Sequence, residues 1–264
     1  MKLLELKDIH YHYNESKTNS NFALENINIK IKKGEFVSII GPNGSGKSTL
    51  LKIFSGLLKP LKGDVYFNEK KLSKFKPKEL AKKIGYVPQN TLSVYPFSVY
   101  EIVMMGRTPH LNFSGYENEK DKKIVREALE YVGIYDLRNK GINEVSGGEA
   151  QRAFIARAIV QEPEIILLDE PNAHLDIHHQ ISIFDLLKDF NKDKELTIIT
   201  VSHDLNLTGH YGKRGILLDG GKIIGDNSID LILTEKNIFN IFGVKSRVEL
   251  DTFTKEISVT IHPH

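Results

Sequence analysis

Cysteine is absent from the 264 residues. That excludes disulfides and thiolate-bound metals, and it suits a reducing compartment. An excess of charge of one sign is missing too: 36 Lys and Arg stand against 34 Asp and Glu, a formal net charge of +2. Such a balance gives no reason to expect a nucleic acid or another polyanion as partner. No stretch approaches the run of about 20 apolar residues that a membrane-spanning helix needs. The opening Met1-Lys2-Leu3-Leu4-Glu5-Leu6-Lys7-Asp8 carries charges where a secretory signal would place an apolar block. A cytoplasmic location is therefore expected, with no membrane span in the chain itself.

What is present is an alternation of strand and helix patterns. Ile27, Ile29 and Ile31 alternate with Asn28 and Lys30, the period of a half-buried strand. The run Phe36-Val37-Ser38-Ile39-Ile40 is apolar at nearly every position, which suits a strand covered on both faces. Leu50, Leu51, Ile53 and Phe54 then recur at helical spacing within 47–57. Further buried strands are read at 84–88, 165–168, 196–201 and 216–218. Strands alternating with helices imply an α/β domain with a largely parallel sheet. The helix-rich interval 90–162 reads as a subdomain inserted into one domain spanning 1–264. Alternation at Val248-Leu250 and Ile257-Val259-Ile261 reads as a closing pair of strands in a C-terminal extension, 240–264.

Between the 36–40 strand and the helix after it lies Gly41-Pro42-Asn43-Gly44-Ser45-Gly46-Lys47-Ser48-Thr49. The spacing of Gly41, Gly46, Lys47 and Ser48, in a strand-to-helix turn, is that of a P-loop. Glycines let successive backbone N–H groups point into one concavity, and the following helix adds its positive end. Lys47 is placed to reach the β- and γ-phosphates of a nucleotide, and Ser48 to give an oxygen to Mg²⁺. A second strand, Ile165 to Leu168, runs into Asp169-Glu170 and delivers both acids to its carboxyl end, where ligands bind in such sheets. Asp169 is suited to the Mg²⁺ shell. Glu170 is suited to polarise an attacking water as general base.

Val145-Ser146-Gly147-Gly148-Glu149-Ala150-Gln151-Arg152 makes the picture specific. This stretch resembles the signature motif of ABC-type ATPases, in which one copy faces the γ-phosphate held by a second. Val145 replaces the usual Leu and Glu149 the usual Gln, the latter bringing an acid near the nucleotide-facing turn. Other positions resemble the family in order. Gln89 resembles the Q-loop residue that senses the γ-phosphate and touches the metal or the water. Asp176 resembles the residue that communicates across the dimer, and His203 the switch histidine on the γ-phosphate. Tyr13 resembles the aromatic that stacks on adenine, with Tyr11 on the same strand face as the alternative. The resemblance covers about residues 3–225. It implies a P-loop NTPase core with an N-terminal antiparallel β portion and an inserted helical subdomain, working with ATP and Mg²⁺. It also implies a homodimer beneath two transmembrane permease subunits at the cytoplasmic face of the membrane, with a substrate-binding protein acting through the permease. Non-transport cassettes that act on DNA or ribosomes fit poorly. No long coiled coil separates the motifs, one cassette with a balanced charge argues against the two fused cassettes of the ribosome-acting proteins, and Glu170 disfavours a regulator without turnover.

Cargo is read from Tyr95 to Leu111, which resembles cassettes of iron–siderophore, haem and cobalamin importers, above all in Met105-Gly106-Arg107-Thr108-Pro109-His110. Iron–siderophore leads, with cobalamin or haem as alternatives, and Leu205-Asn206 after His203 point the same way. Tyr95, Phe97 and Arg107, at loop or helix ends, are expected with Ile102 to line a groove for a short permease helix, and Val99 and Val103 either to line it or to form the subdomain core. His178-His179 is expected as a solvent-facing helix start.

Overall fold

The computed structural model describes residues 2–13, 23–89, 96–111, 115–173 and 175–262. The chain forms two compact units, one from residues 1–74 with 197–264 and the other from 75–196.

The first unit begins with β1 (Lys2–Tyr11), β2 (Leu24–Lys32), β3 (Phe36–Ile40), α1 (Lys47–Phe54), β4 (Lys62–Phe67) and β5 (Lys70–Lys71). An antiparallel sheet takes the order β2-β1-β4-β5. Leu4 faces Ile31 and Leu6 faces Ile29, while on the other side Leu4 and Leu6 pair with Phe67 and Val65. Ile27, Ile29 and Ile31 are buried and Asn28, Lys30 and Lys32 exposed, so this register puts the whole apolar set on one face. A slip by one residue would turn that set to water. Helix α1 stops at Phe54, before the Leu57 that its apolar spacing suggested, because Gly56 takes a left-handed φ of 76°.

The second unit comprises α2 (Pro77–Ala81), β6 (Ile84–Val87), α3 (Val99–Met104), α4 (Glu119–Tyr131), α5 (Gly147–Ile159), β7 (Ile165–Asp169) and α6 (Ile177–Lys194). Strands β6 and β7 run parallel, from Ile84 opposite Ile165 to Val87 opposite Leu168. Helices α3 and α4 start on reciprocal caps. Ser98 accepts from the Glu101 N–H at 3.2 Å while Glu101 accepts from the Ser98 N–H at 2.8 Å, and Asn118 and Asp121 repeat the exchange for α4.

Arg107 corrects the idea of a permease groove. It is 2% exposed. Its Nε donates to Asp121 Oδ1 at 2.9 Å, and its Nη1 to the Val160 carbonyl at 2.6 Å and to Glu162 Oε2 at 2.8 Å. His110 Nε2 meets the Gln161 carbonyl at 2.8 Å. The Met-Gly-Arg-x-Pro-His segment is thus an internal clamp on the end of α5. Val99, Ile102 and Val103 are buried as well, and Phe97 is half-buried. Tyr95 lies outside the described residues. Burial opposes the charge on Asp121, but the Asn118 N–H and the Arg107 guanidinium outweigh it and hold the carboxyl below its ordinary range.

The chain returns to the first unit with β8 (Thr197–Val201), α7 (Leu205–Tyr211), β9 (Arg214–Asp219), β10 (Lys222–Ser228), α8 (Ile229–Ile232), α9 (Glu235–Phe242), β11 (Lys245–Leu250) and β12 (Ile257–His262). Strand β3 pairs in parallel with β8 on one side and β9 on the other, and β10 adds an antiparallel edge. Every residue of β3 and β8 is buried, as strands covered on both faces require. Strands β11 and β12 form a hairpin whose Ile257 and Val259 join Ile40, Leu205, Leu217 and Ile232 in one apolar cluster. Among the described residues no helix is long and apolar enough to cross a membrane.

Candidate nucleotide site

Strand β3 ends at Ile40 and the loop 41–46 delivers the chain to α1. Gly46 has φ 102°, and a Cβ there would collide with the Ala23 carbonyl. Only glycine fits both the left-handed backbone and the close approach. Lys47 folds back over the loop and is 5% exposed; its Nζ donates to the Gly41 carbonyl at 2.9 Å and the Pro42 carbonyl at 2.8 Å. The ammonium is thereby fixed inside the concavity. Ser45 Oγ is buried and has no hydrogen-bond partner among the described residues. Such a hydroxyl costs about 1–3 kcal/mol. A phosphate oxygen is an acceptor that would satisfy it.

Tyr13 lies beside the start of this helix. Its hydroxyl and Thr49 Oγ1 are 2.9 Å apart, and its ring stands edge-on to Tyr11 with centroids 5.1 Å apart. Tyr13 is 61% exposed, whereas Tyr11 is only partly so. Of the two, Tyr13 offers the open face. In the same unit, β8 ends at Val201 and His203 sits exposed in the short link to α7. Ser202 Oγ accepts from the Asp204 N–H at 3.1 Å, and Asp204 Oδ1 caps α7 by accepting from the Leu207 N–H at 2.9 Å.

In the second unit Asp169 ends β7 and is 3% exposed, with a long 3.4 Å bond from the Tyr86 hydroxyl. Glu170 follows with φ 50°, an uncommon conformation for a residue with a Cβ. From this turn its carboxylate meets Gln89, whose Nε2 donates to Glu170 Oε2 at 2.7 Å. Gln89 and Glu170 are thus in direct contact although 81 residues apart. Neither Tyr86 nor the left-handed backbone at Glu170 was read from sequence. Tyr86 leaves only the trace of a polar-tipped aromatic in an otherwise apolar strand.

The turn before α5 is held by Ser146 and Glu149. Glu149 Oε2 accepts from the Ser146 N–H at 2.7 Å, and Ser146 Oγ accepts from the Glu149 N–H at 3.3 Å. These bonds from Ser146, backbone first, hold the Glu149 carboxyl below its usual value. The acid that replaces the family's glutamine is therefore engaged in a capping box, a role either residue fills. Gly147 approaches Leu175, and a Cβ on Gly148 would collide with the His179 ring. His179 in turn donates its N–H to Asp176 Oδ1 at 2.9 Å and brings ring Nδ1 within 2.8 Å. Those contacts lower the Asp176 pKa, the backbone one first. His179 is half-buried against the glycine turn and does not simply face solvent; His178 beside it is exposed.

Comparison with known proteins shows the family. The profile of the ABC transporter family matches residues 24–173, more than half of the chain. The petrobactin import ATP-binding protein FpuC of Bacillus anthracis is 38% identical over 232 residues, covering 88% of this chain and 84% of its own. The ferric enterobactin transport ATP-binding protein FepC of Escherichia coli is 38% identical over 224 residues, 85% of this chain and 83% of its own. A structure in an inward-facing conformation, assigned to a metal-chelate type ABC transporter, superposes with a TM-score of 0.85 at 27% identity. It covers 100% of this chain and 98% of the other. With the P-loop, the carboxylate strand and the glycine turn each built as described, the chain belongs to the ABC transporter family as one of its ATP-binding cassettes.

Proposed function

We propose that the chain is the ATP-hydrolysing subunit of an importer for metal chelates, with iron–siderophore complexes as the cargo. One observation carries the cargo: 38% identity to both a petrobactin and a ferric enterobactin import protein, over more than four-fifths of the chain. In this reading two copies work as a homodimer beneath two permease subunits at the cytoplasmic face of the membrane. A substrate-binding protein delivers the chelate to the permease, and nucleic acid plays no part.

The residues fit ATP and Mg²⁺. Ser45 supplies a buried hydroxyl in want of an acceptor, and Lys47 a fixed ammonium. Ser48, Gln89 and Asp169 offer an all-oxygen donor set, the preference of a hard divalent cation. Mg²⁺ held by these three would offset charge on the β- and γ-phosphates. Tyr13 stacks on the adenine, and the backbone N–H groups of 43–49 with Lys47 grip the phosphates. Glu170 takes the proton of the attacking water while His203 donates a hydrogen bond to a γ-phosphate oxygen. Gln89, bonded to Glu170 at 2.7 Å, couples the position of the base to the phosphate it senses. Ser146 and Gly147 of the partner subunit close over the γ-phosphate, and Asp176 carries the state of one site to the other.

The test is reconstitution with the permease and binding protein, measuring ATPase stimulation by a ferric siderophore, haem, cobalamin, a sugar and an amino acid. The ferric siderophore is expected to stimulate most. Stimulation by haem or cobalamin alone changes the chelate. Stimulation by sugar or amino acid alone overturns the metal-chelate assignment and leaves the ATPase standing.

A further inference from the structure

The C-terminal hairpin does more than close the first unit. Asn206 stands on the first turn of α7, three residues after His203. Its side chain makes a two-point contact with the backbone of β12: Nδ2 donates to the Val259 carbonyl at 3.1 Å, and Oδ1 accepts from the Val259 N–H at 2.7 Å. This reproduces what a neighbouring strand would offer to Val259, so a side chain supplies the pairing on the free side of β12. A second observation fixes the same contact. Gly209, one turn further along α7, lies so near β12 that a Cβ would stand 2.8 Å from the Ile257 carbonyl and 3.1 Å from its Cβ. Beneath both, Leu205 of α7 packs in one cluster with Ile257 and Val259 of the hairpin and with Ile40, the residue that leads into the P-loop.

We propose that Asn206 is a positioning residue: its two bonds to Val259 seat α7 on the C-terminal hairpin and thereby set where His203 stands during ATP hydrolysis. The inference rests on the reading of His203 as the histidine that meets the γ-phosphate. The lever is short. Between His203 and the clamp lie only Asp204, which caps the helix, and Leu205, which is anchored in the core. A segment tied at the Asp204 cap and again at Asn206 leaves the intervening backbone little freedom, and displacements of about 1 Å in such a group can change rates up to about a hundredfold. The hairpin, although remote from the P-loop in sequence, becomes part of what keeps the switch in register.

Asn206 lies at the surface, so replacing it opens no cavity. Asn206→Ala is expected to lower kcat for ATP about tenfold with KM for ATP changed less than about twofold, because the P-loop that grips the nucleotide is untouched. Asn206→Asp keeps the acceptor for the Val259 N–H and loses the donor, and should fall between. Gly209→Ala, which presses α7 off Ile257 without touching Asn206, should give the same kcat defect. The decisive measurement is the double variant with His203→Ala. Acting through His203, Asn206→Ala should reduce kcat no further once the histidine is gone, whereas general loosening would reduce it in both backgrounds. Hydrogen exchange at the Val259 amide should rise in Asn206→Ala and report release of the hairpin. An unchanged kcat in Asn206→Ala with faster Val259 exchange overturns the inference and leaves His203 in place. An additive loss in the double variant overturns it too. An unchanged kcat in His203→Ala alone overturns the underlying reading instead.

Discussion

Glu149 shows how a single residue can look functional and turn out to be architectural. Its carboxylate is committed to the Ser146 N–H at 2.7 Å, one half of the cap that starts α5. A glutamine makes the same bond through its carbonyl oxygen, so Glu149→Gln should change thermal stability at neutral pH by less than about 0.5 kcal/mol, while Glu149→Ala loses about 1 kcal/mol. Calorimetry on the two variants checks this, and equal losses would remove the cap from the account. Tyr13 makes the opposite case, since its exposed ring is not needed for packing. Tyr13→Ala should weaken ATP binding by about 1 kcal/mol, more than Tyr11→Ala does. Tyr13→Phe separates stacking from the hydroxyl contact with Thr49 and should bind nearly as well as wild type. If titration calorimetry ranks Tyr11→Ala as the more damaging, the adenine platform belongs to Tyr11.

Among the elements, the segment from Met105 to His110 ties the end of α5 to the start of α4 through Arg107 and Asp121, which are both about 3% exposed at their side chains. Removing one member of a buried pair strands the other, and Arg107→Ala or Asp121→Ala should each cost about 3 kcal/mol or more. The pair also sets an acid limit. The folded pKa of Asp121 lies below the ordinary aspartate value, so its contribution is complete above the unfolded value and is lost as pH falls through the folded one. Wild-type protein should therefore lose melting temperature on acidification through and below about pH 3.8. Asp121→Asn, already less stable at neutral pH, should show a shallower fall there; parallel curves would detach the pair from acid stability. The same segment marks a boundary of what sequence can tell. An arginine at a helix end reads as surface, because its burial depends on an Asp121 and a Glu162 brought in by folding. Strands β2 and β3 were legible because burial on one face or on both writes a pattern into Ile27 to Ile31 and Phe36 to Ile40. Strand β10 was not, since Lys222 to Ser228 buries almost nothing and is held by backbone bonds to β9. Helix α6 left a faint trace, with buried Ile183, Phe184, Leu187 and Phe190 spread over 18 residues. In the candidate site the loop 41–49 was plain from spacing. The direct bond from Gln89 to Glu170 was not, because it depends on the left-handed turn at Glu170 and on the pairing of β6 with β7.

For the whole molecule the governing fact is that one chain carries one P-loop and one glycine turn, which the proposed mechanism uses in two different sites. A net charge of +2 offers little self-repulsion against pairing of two copies. Association should then follow occupancy: a ligand that binds only the paired state stabilises it by an amount that grows with the logarithm of its concentration over its dissociation constant. In wild-type protein hydrolysis keeps removing that ligand. Glu170→Gln removes the base while Lys47, Ser48 and Asp169 are retained, so it should bind ATP as before and turn over at least about a hundredfold more slowly. Size-exclusion chromatography should show one chain without nucleotide and two with ATP and Mg²⁺, but not with ADP. Lys47→Ala in the same background should stay single at every ATP concentration, which ties the pairing to phosphate contact. Wild-type turnover in Glu170→Gln would remove the general-base assignment. Slow turnover with the protein still single in saturating ATP would keep the base and discard the ATP-closed homodimer, because the ligand held between two copies is what the pairing requires.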